Sequence, residues 1–160
     1  MKGSCPCGAV TIENARAPAV RFFCHCTICQ SVYARFDEPF ADITATWTWT
    51  TKITKGREAL RFERHIWLPA SVKRGLCGQC DAPVVGYLQV PVAGISFIPS
   101  TTWEDRGALP ASSGHLNYHS RAADVDDGLP KVEGVLRSEL RATAWMLPRL
   151  LRGGAPALPS

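Results

Sequence analysis

The chain has 160 residues, of which 46% are hydrophobic and 20% charged, proportions that fit one globular domain with its own core and exclude a disordered, collagen-like or coiled-coil chain. Eighteen Lys plus Arg against fourteen Asp plus Glu leave a net charge of +4, which suits an anionic small molecule and falls short of a nucleic-acid footprint. No apolar run of about 18 residues exists to span a bilayer, and Met1-Lys2-Gly3-Ser4-Cys5 opens without a signal-peptide stretch, so a cytoplasmic protein with reduced thiols and no membrane partner is expected.

Residues 8 to 13 and 20 to 23 alternate or are β-branched and aromatic, with Pro18 between them, and predict two short strands. Ile28, Val32 and Phe36 recur every four residues and predict a short helix over 27–36. Residues 43 to 50 have the period of two of a half-buried strand, which would bury Trp47 and Trp49 in a core. Further strands are expected at 59–63, 72–76, 83–89, 94–98 and 114–118, each bounded by Gly, Pro or Ser. Arg57, Arg61, Arg64, Lys73 and Arg74, interrupted by Glu58 and Glu63, read as a solvated strand face. Many short strands with little helix predict a mainly β fold of antiparallel strands. Leu136, Leu140, Trp145 and Met146-Leu147 predict a short C-terminal amphipathic helix that Pro148 ends or kinks, followed by a loose tail after Arg152. The expected division is a β domain over 1–135 and a helix with its tail over 136–160.

The seven cysteines carry the chemistry. They fall into three clusters at turns rich in Gly and Pro: Cys5-Pro6-Cys7, Cys24-His25-Cys26-Thr27-Ile28-Cys29 and Cys77-Gly78-Gln79-Cys80. Cysteines serving as small apolar core residues would scatter with the strand period instead. Zinc prefers thiolates in a tetrahedral array, and a two-residue gap lets one turn aim two sulfurs at one ion. Cys24, Cys26 and Cys29 lie within six residues and can wrap a single ion. Cys5, Cys7, Cys77 and Cys80 are left as two distant pairs, and a metal joining them would staple the N-terminal hairpin to the later strands. Four thiolates make a closed, structural site, whereas three keep a position free for a substrate thiol. His25 is flanked by two ligands, so its ring should point away from the ion.

Taken together, Gly-Ser-Cys-Pro-Cys-Gly-Ala-Val, Cys-His-Cys-Thr-Ile-Cys and Arg-Gly-Leu-Cys-Gly-Gln-Cys resemble the family of glutathione-dependent formaldehyde-activating enzymes, which includes centromere protein V. The likeness extends through His115-Leu116-Asn117-Tyr118-His119-Ser120 to Asp127-Gly128-Leu129-Pro130, and so over residues 3 to about 133. The resemblance implies a β-tent-type zinc fold, a structural zinc on Cys5, Cys7, Cys77 and Cys80, and a second zinc on Cys24, Cys26 and Cys29, which with three thiolates alone is expected to be exchangeable. In members with the activity, the second zinc is associated with condensing formaldehyde and glutathione to S-hydroxymethylglutathione, and relatives are grouped as carbon-sulfur lyases. The chain departs from the family pattern in having Asp81 where Gly usually follows the last cysteine, and Ala34 beside Arg35 where Gly is usual. It also places Asp37, Glu38 and Asp42 where, with the family geometry, three acids would repel anionic glutathione.

These readings lead to a carbon-sulfur lyase with Cys24, Cys26 and Cys29 as its catalytic residues, a small thiol or thiol adduct as its partner, and a homo-oligomer as an allowed assembly. The alternative is a non-catalytic zinc module for protein interaction. A thiol redox switch on Cys77 and Cys80 or on Cys26 and Cys29 lacks the βαβ context of a thioredoxin-like protein. His65, His115 and His119 are candidate acids or bases, each with the plainer reading of a half-exposed strand residue.

Overall fold

The computed structural model describes residues 1–33, 39–65, 71–90 and 93–152. In chain order these form β1 (Lys2–Ser4), β2 (Thr11–Asn14), β3 (Val20–Cys24), α1 (Thr27–Tyr33), β4 (Ala41–Trp47), β5 (Thr51–Lys55), β6 (Leu60–Glu63), β7 (Lys73–Cys77), β8 (Pro83–Val90), β9 (Ala93–Pro99), β10 (Ser112–Leu116) and α2 (Val135–Arg152). The fold is mainly β, as expected. A seven-stranded sheet runs β10-β3-β4-β9-β8-β7-β6, and a three-stranded sheet runs β1-β2-β5. The paired strands are antiparallel except that β10 lies parallel to β3, setting Leu116 opposite Cys24 and His115 opposite Phe23.

Strand alternation gives the large sheet two apolar faces. On one face Val20, Phe22, Ile43 and Leu116 pack with Ala142, Met146 and Leu150 of α2. On the other, Ile98 packs with Val84, Trp103 and, from the small sheet, Ile12. Phe97 belongs to the first face and its neighbour Ile98 to the second. The order of layers is therefore α2, large sheet, small sheet, and residues adjacent on one strand serve different cores.

Three local expectations change. The Thr-Trp run is a strand only as far as Trp47; Thr48–Thr50 form a 3-10 turn, and Trp49 is 40% exposed and stacks on Trp47 with centroids 4.4 Å apart. The turn lets the chain leave the large sheet and pair with β2 as β5, a step that uniform period two conceals. Pro148 lies inside α2, which continues to Arg152. Burial of Leu150 and the bond from Trp47 Nε1 to the Leu150 carbonyl (3.0 Å) hold that last turn in place, so tertiary contact overrides the proline. Residues 112–116 are strand, but Asn117 turns to φ +54° and begins a 3-10 turn. Ile28 and Val32 lie on α1 as expected, whereas Phe36, Ala34, Arg35, Asp37 and Glu38 lie outside the described residues.

Candidate metal centre

The β2 approach and the β7–β8 turn bring Cys5, Cys7, Cys77 and Cys80 together, with all four sulfurs within 4.8 Å of one another. Cys5 and Cys7 sulfurs are 3.5 Å apart, and Cys7 and Cys77 sulfurs 3.7 Å apart. A tetrahedral zinc with bonds of about 2.3 Å sets its sulfurs about 3.8 Å apart, so the donor set and spacing fit that ion. Backbone N–H groups are aimed at the sulfurs. Val10 N–H donates to Cys5 Sγ at 3.2 Å. Burial raises the Cys77 thiol, but the N–H groups of Cys80 and Gln79 together with hydrogen bonds to the Cys5 and Cys80 thiols bring it down to about 7.

The second cluster stands on the opposite face of the large sheet. Cys24 ends β3, Cys26 precedes α1 and Cys29 sits on its first turn, and their three sulfurs also lie within 4.8 Å of one another. Cys24 and Cys29 are buried and Cys26 is half-buried. Hydrogen bonds from Cys24 and Cys29, the Cys29 N–H and the nearby Arg74 charge push the Cys26 thiol strongly down. Cys24 is raised by its bonds to Cys26 and Cys29 and by burial. Two side chains distant in sequence touch the cluster: Arg74 Nη2 lies 3.9 Å from Cys29 Sγ, and Asn117 Nδ2 lies 3.8 Å from Cys24 Sγ. Sequence reading missed both as site residues, because only the pairing of β7 with β8 and of β10 with β3 carries them there.

Among the described residues, no fourth His, Cys, Asp or Glu joins Cys24, Cys26 and Cys29. His25 points away, as expected, into a buried aromatic group with His115, Phe40 and Tyr118. Its Nε2 lies 2.8 Å from His115 Nδ1, and His115 Nε2 lies 2.7 Å from Asp127 Oδ2. When His115 is neutral, it donates Nε2–H to Asp127 and leaves Nδ1 to accept Nε2–H from His25. Burial and the neighbouring His115 hold the His25 ring down at about 4. His115 is thus fully buried, not half-exposed, because β10 runs between β3 and the 130–132 segment. His119 accepts the Gly134 N–H at 2.9 Å, and His65 is exposed beyond β6; neither belongs to the cluster. Asp42 is held in a two-point pair with Arg21 (2.9 and 2.6 Å) and accepts from Ser100, so its charge is answered locally.

The three-sulfur cluster opens onto a cavity of about 590 Å³ between the large sheet, α1 and α2. The four-sulfur cluster does not line it.

The sequence model of the family described as glutathione-dependent formaldehyde-activating enzyme matches residues 1–118. The chain belongs to this family. A crystal structure of a Rhodobacter sphaeroides protein is similar over 72% of this chain and 100% of its own, with 21% identity and a TM-score of 0.54, a likeness of fold alone. No curated protein matches the chain. The match to the formaldehyde-activating family ends at Tyr118, so Asp127 and the whole of α2 lie beyond it. Among the described residues no helix is long and apolar enough to cross a membrane.

Proposed function

We propose that the protein is a zinc-dependent enzyme of carbon-sulfur bond chemistry, joining a small thiol to formaldehyde or releasing it from the adduct. The observation that carries this reading is the asymmetry of the two clusters. Four sulfurs answer each other away from the cavity, while three sulfurs face it without a fourth protein ligand among the described residues. In this reading zinc binds both clusters, and Cys24, Cys26 and Cys29 form the catalytic one. When bound there, zinc would hold a substrate sulfur as thiolate at neutral pH.

The chain's own residues do the remaining work. Arg74 and Asn117 offset the charge that three thiolates concentrate at one point. The apolar walls of the cavity cover the body of the thiol. In the forward step a sulfur–carbon bond forms, the carbonyl π pair moves onto oxygen, and the proton given up by the thiol ends on that oxygen. Three thiolates make an electron-rich site that activates water poorly, which disfavours hydrolysis. All seven cysteines are free thiols, which suits a reducing compartment such as the cytoplasm.

Elemental mass spectrometry of the freshly purified protein should find two zinc ions per chain. Cys26→Ser should carry one, keep its near-UV circular dichroism and lose thiol-dependent consumption of formaldehyde. Undiminished turnover in Cys26→Ser would overturn the reading.

A further inference from the structure

Resting on the thiol-adduct reading above, we infer that the substrate is a thiol with a bulky apolar body, and that α2 selects it against glutathione. The cavity that ends at the three sulfurs is walled by Phe22, Ile43 and Phe97 of the large sheet and by Ala142, Met146 and Leu150 of α2. Its volume of about 590 Å³ is that of a site for a molecule of many heavy atoms. Formaldehyde and one sulfur would leave most of it empty.

Charge decides which molecule fills it. Among the described residues, the charged side chains lining the cavity are Arg74 and Glu139. Arg74 is engaged at the sulfur end, with Nη2 against Cys29 and Nη1 donating to the Val72 carbonyl at 3.4 Å. Glu139 is an acid lining the same cavity as the cluster, and its side chain is exposed. Glutathione carries two carboxylates and one ammonium. Seating it would take two anions out of water against one engaged cation and one like charge. An apolar body instead gains with every methylene that the walls cover.

The selecting wall lies outside the residues that the family model matches, since α2 begins after Tyr118. Its place relative to the sulfurs is fixed. Ser138 Oγ accepts the Asn117 N–H at 2.8 Å and donates to the Val132 carbonyl, while the Asn117 side chain touches Cys24. The apolar surface of α2 also continues beyond the cavity. Leu147 stands at the rim, and Leu136, Leu140 and Leu151, on the same side of the helix, are 73%, 64% and 62% exposed. Together they form an apolar track from solvent to the cavity.

The test is calorimetric titration of the zinc-loaded full chain with phenylbutanethiol and with glutathione. The wild type should bind phenylbutanethiol at least tenfold more tightly. Leu147→Gln, a neutral change at the half-exposed rim, should weaken phenylbutanethiol at least fivefold without weakening glutathione. Glu139→Lys, independent of that site, should tighten glutathione several-fold by adding a cation. Equal or tighter binding of glutathione by the wild type overturns the inference and leaves the thiol-adduct reading standing. Phenylbutanethiol affinity unchanged in the Leu147 variant, or glutathione affinity unchanged in Glu139→Lys, overturns the role of α2. Phenylbutanethiol binding that survives Cys26→Ser undiminished, or no binding of either thiol, overturns the thiol-adduct reading and the inference with it.

Discussion

Asp81 follows the last cysteine with φ +62°, a left-handed conformation that costs L-residues about 1–2 kcal/mol and glycine almost nothing. The family's usual glycine is thus explained by backbone geometry. Asp is among the residues that tolerate this region, and here its carboxylate also accepts from Arg61 Nη2 at 2.8 Å. That pair is exposed and worth under about 1 kcal/mol. Asp81→Gly should therefore match or exceed wild-type stability, while Asp81→Ala should lose about 1 kcal/mol, as read by urea denaturation. A second residue-scale prediction concerns Asp127, whose carboxyl His115 holds well below the usual carboxylate range, with the Leu129 N–H and Lys131 assisting against burial. A depressed folded pKa stabilises the fold above the ordinary value near 3.8, and the benefit is lost as pH falls toward the folded value. Asp127→Asn should lower the Tm at pH 7, and the gap from wild type should narrow below about pH 4. A gap that stays constant down to about pH 3 would show that the carboxylate charge is not what matters. The cysteine sets were legible in the sequence because thiolate spacing of two or three residues has a local geometric meaning. The Asp127–His115–His25 chain was not, because His25 and His115 are 90 positions apart and meet only through a parallel strand pair.

At the scale of elements, α2 shows how packing overrules propensity. Pro148 removes the N–H that would bond the Ala144 carbonyl, a loss that normally ends a helix. The helix continues because Leu150 is 2% exposed in the core with Met146 and Val20, and because Trp47 satisfies the Leu150 carbonyl. Pro148 itself is exposed, so its ring contributes little burial. Pro148→Ala should raise stability by about 1–3 kcal/mol, seen as a higher denaturation midpoint with an unchanged slope. An unchanged midpoint would mean that the last turn bends around the proline without strain. The helix was legible in its apolar residues, but its end was not: the proline is a local signal, and the contact that outweighs it comes from β4. The same holds for β5, where Thr-Lys-Ile-Thr-Lys carries too few apolar residues to announce a strand and is defined by pairing with β2.

At the scale of the whole molecule, the two clusters differ in what they connect. Cys24, Cys26 and Cys29 belong to one segment from β3 into α1, and that segment is already held by the β3–β4 pairing and by α2. Cys5 and Cys7 lie between β1 and β2, whereas Cys77 ends β7 and Cys80 lies in the turn from β7 to β8, so the four-sulfur cluster joins the small sheet to the large one. A structural zinc contributes on the order of 10–16 kcal/mol at pH 7, as much as or more than the whole stability of a typical domain, about 5–15 kcal/mol. With zinc in both clusters as proposed, loss of the ion at the four-sulfur cluster should therefore unfold the chain, while loss of the ion at the three-sulfur cluster should not. Titration of the zinc-loaded protein with a strong chelator should release a first equivalent with little change in far-UV circular dichroism, and the second together with cooperative unfolding. Cys77→Ser should behave as the fully stripped protein, and Cys26→Ser as the singly loaded one. If both ions left in one step with the fold, or if Cys77→Ser stayed folded with one zinc, the staple would lie elsewhere and the division of labour between the clusters would be wrong.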